Sequence, residues 1–243
     1  MRTLNSVRVW GWFCLIVAAV PPASAQLGPG WEEHHPLRKI HLANKDDKLV
    51  SLNHDFAANV THEVGAPATA AYTYDHATAT ETFVLRKPGE RAEIRVHDNY
   101  ATGSRQFEGY VTVYPPIERQ MIFQIWGSGE KNRATQMILR AFDRDGGTLL
   151  ATNRVTDSPV VATQIYGREI KVNVIHLQED VGGRILVYLD DRMVLDIPDT
   201  YKEIINQSGN YHKYGCYGSF EAAFTEAKTR WRKVRHFRGG TAP

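Results

Sequence analysis

Short runs of β-branched and aromatic residues recur along this chain between explicit turn signals, and that recurrence restricts it to an all-β fold. The runs fall at residues 82–85, 92–97, 109–114, 121–126, 135–142, 170–177, 185–189 and 211–220. Lys87-Pro88-Gly89, Asp143-Arg144-Asp145-Gly146-Gly147, Asp180-Val181-Gly182-Gly183 and Asp190-Asp191 separate them through residues that favour turns. Residues 200–205 could form one helical turn, and no longer helix is expected. The pattern predicts two packed antiparallel sheets, a β-jelly roll or concanavalin-like sandwich, closed by the strand-like segment 231–237.

The amino terminus reads as an export signal. Arg2 and Arg8 lead into the apolar run 9–20, and Pro21-Pro22-Ala23-Ser24-Ala25 offers small residues for cleavage. Residues 1–25 are therefore expected to leave, 26–33 to form a linker, and 34–240 to form one domain. The run is shorter than the roughly 20 residues that span a bilayer, so a secreted or periplasmic protein with no membrane partner is expected. Cys14 departs with the signal, leaving Cys216 without a partner for an intrachain disulfide. A formal net charge of +2 lacks the strongly basic footprint of a nucleic-acid binder, so attraction for a polyanion must be local.

Three segments carry candidate chemistry. In Tyr211-His212-Lys213-Tyr214-Gly215-Cys216-Tyr217, a strand would place Tyr211, Lys213, Gly215 and Tyr217 on one face, with Gly215 as a gap where a sugar ring approaches the backbone. His212 and Cys216 would face the core. In 90–97, Arg91, Glu93, Arg95 and His97 alternate with small or apolar residues, and Glu93 could orient both flanking guanidinium groups. An ordinary solvated face is the commoner explanation of such a strand. The third, 120–127, puts Gln124 and Trp126 on one face, as a surface amide and a core aromatic or as a hydrogen-bonding and stacking pair.

Together, Arg91-Ala92-Glu93-Ile94-Arg95, Gln124-Ile125-Trp126 and Tyr211-x-Lys213-x-Gly215-x-Tyr217 resemble, in order and spacing, the motifs of the alginate lyases of polysaccharide lyase family 7. The resemblance runs in outline from Arg86 to Phe237 and implies a secreted jelly roll with an open cleft. It implies β-elimination at a uronic acid, with Arg91 and Gln124 neutralising the carboxylate so that the C5 proton becomes acidic. Tyr217 matches the tyrosine that protonates O4 and, in syn geometry, also takes the C5 proton, with Lys213 and Arg95 as neighbouring cations. Glu93, Arg95, Trp126 and Tyr211 are expected at the substrate. No metal or organic cofactor is required, the partner is an acidic polysaccharide, and the protein is expected to act as a monomer.

The departure is Trp126, where many family members carry a histidine. An indole has only a donor, so it can serve neither as base nor as carboxylate neutraliser. Tyr217 acting alone, a histidine from a neighbouring position, and loss of catalysis are the three explanations. His97 sits about 20 Å along the strand from Arg91 at the usual rise, and His212 points to the opposite face, which favours Tyr217. Alginate is the first-choice substrate and glucuronan an alternative. A non-catalytic carbohydrate-binding module, with Trp126 as stacking platform, is the competing function. Glycoside hydrolysis needs two carboxylates roughly 5 Å apart, and the candidate motifs supply only Glu93.

Overall fold

The structure is a computed structural model that describes residues 27–43, 49–55, 60–64, 71–86, 91–127, 134–152, 159–199, 209–218 and 226–243. The expected export signal, the Lys87-Pro88-Gly89 turn and the helical turn at 200–205 lie outside the described residues.

Two antiparallel sheets pack face to face, as the alternation of apolar and polar residues predicts. One runs β15 (Arg192–Pro198), β14 (Arg184–Leu189), β13 (Glu169–Leu177), β8 (Ser104–Tyr114), β17 (Ala227–Arg238), β6 (Thr80–Leu85) and β5 (Tyr72–Asp75), with β1 (Glu32–His34) paired to the far end of β17. The other runs β12 (Val160–Ala162), β11 (Thr148–Thr152), β10 (Ala134–Phe142), β9 (Gln120–Gly127), β16 (Asn210–Tyr217), β7 (Arg91–Val96), β2 (Arg38–Ala43), β3 (Leu49–Asp55) and β4 (Val60–Val64). Among the described residues the helical content is one 3-10 turn, Glu179–Val181.

Phe107 joins the layers. Its ring lies 4.6 Å from Phe123 and 5.4 Å from Tyr214 of the second sheet, and 5.4 Å from Trp231 of its own. Around it Ile94, Val111, Ile125 and Val174 are fully buried, the inward half of each strand's alternation. Several polar groups inside this core are paired. Arg38 donates to the Tyr214 hydroxyl at 2.9 Å, and Tyr72 donates to Glu81 at 3.1 Å. The Tyr100 hydroxyl lies 2.8 Å from His176 and 3.2 Å from His212, while His176 meets Asp199 at 2.8 Å.

Two expectations change. Residues 26–33 were expected to link, yet Trp31 is buried and donates to the carbonyls of Leu27 and Thr241, and Glu32 opens β1. An indole of that size gains more by covering Phe237 and Ile175 than by remaining in water. Gly215, expected as a gap on the open face, instead permits a bulge: β16 shifts register against β9 between Tyr214 and Tyr217. Its φ is +136°, and a Cβ there would sit 2.6 Å from the Ala92 carbonyl oxygen and 3.0 Å from Phe83. The missing side chain makes room for neighbouring backbone and core. His212 and Cys216 face the core as expected, with Cys216 fully buried and burial pushing its thiol up.

Burial holds the imidazoles of His212, at about 3, and His236 below the ordinary value. In each the unfolded chain takes up a proton near pH 6.5 while the folded protein does not, so stability is complete above that pH and falls as the solution is acidified. Thermal or urea unfolding should show stability declining from pH 6.5 toward pH 4, with a slope approaching about 1.4 kcal/mol per pH unit for each of these two rings. The His212→Gln, His236→Gln double variant, measured the same way, should lose the share of these two rings and keep the smaller slope that His41 and His97, both lowered to about 4, contribute.

Candidate functional site

The open face of the second sheet gathers the three motifs. Arg91, Glu93 and Arg95 on β7 alternate with buried Ala92, Ile94 and Val96, and on β16 Lys213 alternates with buried His212 and Tyr214. Register fixes the rows: Lys213 pairs with Arg95 on one side and Gln124 on the other, and Tyr217 pairs with Arg91. Paired residues in an antiparallel sheet share a face, so five of the predicted groups become neighbours through backbone pairing alone.

Glu93 is the centre. It is 2 % exposed, accepts from Lys213 Nζ at 2.9 Å and from Gln124 Nε2 at 2.8 Å, and lies 3.3 Å from Arg91 Nε. Three strands are thereby clamped to one carboxylate. Gln124 and Lys213 are themselves buried, at 2 % and 6 % exposure, and form the floor of the face with Glu93. Arg91, Arg95, Trp126 and Tyr217 stand half-buried around them.

The Arg91 guanidinium lies 4.3 Å from the Tyr217 ring centroid and hydrogen-bonds its hydroxyl. Burial draws the Arg91 pKa down, but Glu93 and Tyr217 more than offset this and hold it above the ordinary value. Lys213 Nζ sits 5.3 Å from the Trp126 ring and 5.9 Å from Tyr211. Burial raises the Tyr211 phenol, with Arg95 opposing.

Two sequence expectations need correction. Glu93 does not orient both arginines, because Arg95 turns away to donate to Asn99 at 3.0 Å and to lie 4.1 Å over Tyr211. Glu93 was also expected at the substrate, whereas both its oxygens are occupied by neighbouring side chains beneath the surface. It is a positioning residue.

The structure adds β2, which sequence reasoning left unassigned. Its Lys39 and His41 pair with Arg95 and Glu93 and so join the same face. The signal was present in the alternation of Lys39 and His41 with Ile40 and Leu42. His41 is half-buried, and its pKa is lowered to about 4 by burial and then by Lys213, with Glu93 opposing. Among the described residues no group of three or more His, Cys, Asp or Glu is placed to hold a metal ion.

This architecture is the β-jelly roll of the family-7 alginate lyases. Solved structures similar to it include alginate lyase AlyC3 in complex with dimannuronate, with a TM-score of 0.65, 9% identity, and 84% of this chain and 90% of that one covered. Alginate lyase PA1167 from Pseudomonas aeruginosa gives a TM-score of 0.65 at 13% identity over 82% and 97% of the chains. Alginate lyase A1-II', a member of polysaccharide lyase family 7, gives 0.61 at 11% identity over 84% and 96%. At these identities the likeness is one of fold. No family model matches the sequence. A citrate-binding protein from Hevea brasiliensis is 30% identical over 154 residues, which is 61% of this chain and 56% of the relative. The chain thus spans little more than half of that relative's length.

Removing the central carboxylate should unfasten the floor. Glu93→Ala leaves the buried Lys213 ammonium and Gln124 amide without their partner and should cost about 3 kcal/mol in urea unfolding. Glu93→Gln, which keeps an acceptor oxygen, should cost less.

Proposed function

We propose that this protein is an exported, monomeric polysaccharide lyase that cleaves a uronate polymer by β-elimination, with alginate as the first substrate to test. The observation that carries the reading is the Glu93 clamp, which holds Arg91, Lys213 and Gln124 in one patch with Tyr217 hydrogen-bonded to Arg91. Such a patch suits the chemistry. A C5 proton α to a carboxylate becomes removable once cations and donors offset the carboxylate charge and stabilise the enolate-like anion that follows.

In this reading Arg91 meets the uronate carboxylate, since it is the least buried of the three groups clamped to Glu93. Gln124 supplies a second donor through the amide hydrogen that Glu93 leaves free, and Lys213 adds positive charge from the floor. Tyr217 donates its proton to O4 as the C4–O4 bond breaks. Trp126 and Tyr211 flank the patch as surfaces for neighbouring sugar rings. The elimination consumes no water and leaves a double bond between C4 and C5. Glucuronan offers the same reacting carboxylate and is the alternative polymer.

A second reading has specific support. The 30% identity to a citrate-binding protein, together with a patch built from cations, favours a protein that holds carboxylates without turning them over, a binding module on the same face. One assay separates the two. With alginate the lyase develops ultraviolet absorbance from the conjugated unsaturated uronate, and Tyr217→Phe lowers kcat by about 100-fold or more. Retention on immobilised polyuronate or binding of citrate, with no new absorbance and no effect of Tyr217→Phe, would establish the binder instead.

A further inference from the structure

Trp126 leaves the cleft without a base on β9, and the structure places the imidazole of His41 on the same face in register with Glu93. We infer that His41 is the general base of the elimination, working from β2 across the β7 strand that seats the carboxylate, while Tyr217 works as acid from β16 on the far side. The inference rests on the lyase reading and deepens it, because the flank from which each group acts selects the substrate epimer.

Backbone pairing carries the geometry. His41 is the register partner of Glu93, and Tyr217 is the register partner of Arg91, so both share the open face with the clamp. β2 and β16 are the two neighbours of β7. Two inter-strand intervals and the two-residue offset from Glu93 to Arg91 put the backbones of His41 and Tyr217 about 12 Å apart, a span that a sugar ring and two reaching side chains fill. Two other candidate histidines fail on position. His97 lies 3.4 Å from Arg95 at the end of the row away from Arg91, and His212 is inside the core.

The surroundings of His41 supply the rest. From β7 it faces Arg91, Glu93 and Arg95, and from β16 Lys213; Lys39 is on its own strand. The β3 register partners of Lys39, His41 and Ala43 are Asn53, Ser51 and Leu49, none of them titratable. Burial and the three cations keep the free imidazole neutral and able to accept a proton down to about pH 4. A uronate carboxylate seated on Arg91 adds negative charge beside it, which raises its basicity when substrate is present.

The step balances. An imidazole nitrogen of His41 takes the C5 proton, the C5–H electron pair becomes the C4=C5 double bond, the C4–O4 bond breaks, and O4 takes the Tyr217 proton. Water then carries a proton from His41 back to Tyr217. Removal from one flank and donation from the other suits a ring whose C5–H and C4–O4 bonds lie on opposite faces, as in guluronate. In mannuronate and glucuronate they lie on the same face, where a single phenol can serve both ends.

The test is steady-state cleavage of polyguluronate and polymannuronate by the full chain, its His41→Gln variant and its Tyr217→Phe variant. His41→Gln should lower kcat on polyguluronate by about 100-fold or more and on polymannuronate by less than about 10-fold, with KM changed by less than about 3-fold. The unsubstituted protein should show the acid limb of kcat/KM on polyguluronate near pH 4 and that of kcat at higher pH. If His41→Gln does not fold, this pair of limbs decides the question alone. Equal losses on the two polymers, or an acid limb that is the same for kcat and kcat/KM, would overturn the role of His41. Polyguluronate cleavage that survives undiminished in His41→Gln but vanishes in Tyr217→Phe removes only this inference, whereas no unsaturated product from either polymer with the unsubstituted protein removes the lyase reading and the inference with it.

Discussion

The buried carboxylate of Glu93 is the constraint on which the open face depends. One carboxylate fastens an ammonium from β16, an amide from β9 and lies against a guanidinium from β7, so three strands brought together by backbone pairing are also locked through their side chains. Desolvating a carboxylate is costly and is offset only where such partners surround it. The arrangement therefore leaves little freedom to Lys213 and Gln124, while Arg91 keeps a half-exposed guanidinium with a fixed root. That combination of a rigid floor and an accessible cation is what a carboxylate-bearing ligand requires.

Beneath this face the sandwich is closed by aromatic packing and by buried polar pairs. Phe107 and Trp231 meet Phe123 and Tyr214 edge-on or tilted, the arrangements that aromatic quadrupoles favour. Tyr214 shows how the two halves are joined: its ring belongs to the core, its hydroxyl accepts from Arg38 of β2, and its strand neighbour Lys213 belongs to the clamp. The bulge at Gly215 then re-aims the strand, so that Tyr217 returns to the open face beside Arg91. Without that one-residue shift against β9, the spacing between Lys213 and Tyr217 would meet a different set of partners.

Much of this was legible in the residues. The alternation in 91–96 and 211–217 assigns each side chain to core or open face, and His212, Cys216, Ile94 and Val96 are buried accordingly. The strands at 38–43, 49–55, 60–64 and 72–75 escaped notice because they are short or carry mixed residues without clear punctuation, and β2 brought Lys39 and His41 with it. Arg95 illustrates a different limit. Its position on the face follows from period two, but its choice of Asn99 and Tyr211 over Glu93 depends on where the chain goes after β7. Trp31 is similar, since nothing local distinguishes a linker tryptophan from one that will find a groove beside β17.

The sequence by itself determined the all-β class and which residues of β7, β9 and β16 share a face, because both follow from local alternation and turn chemistry. Only the tertiary structure decided which strands lie side by side, and hence that His41 stands opposite Glu93, that Glu93 is buried beneath its partners rather than offered to a ligand, and that Gly215 serves a bulge. Strand order is set by contacts between segments far apart in the chain, and a period of two carries no information about them.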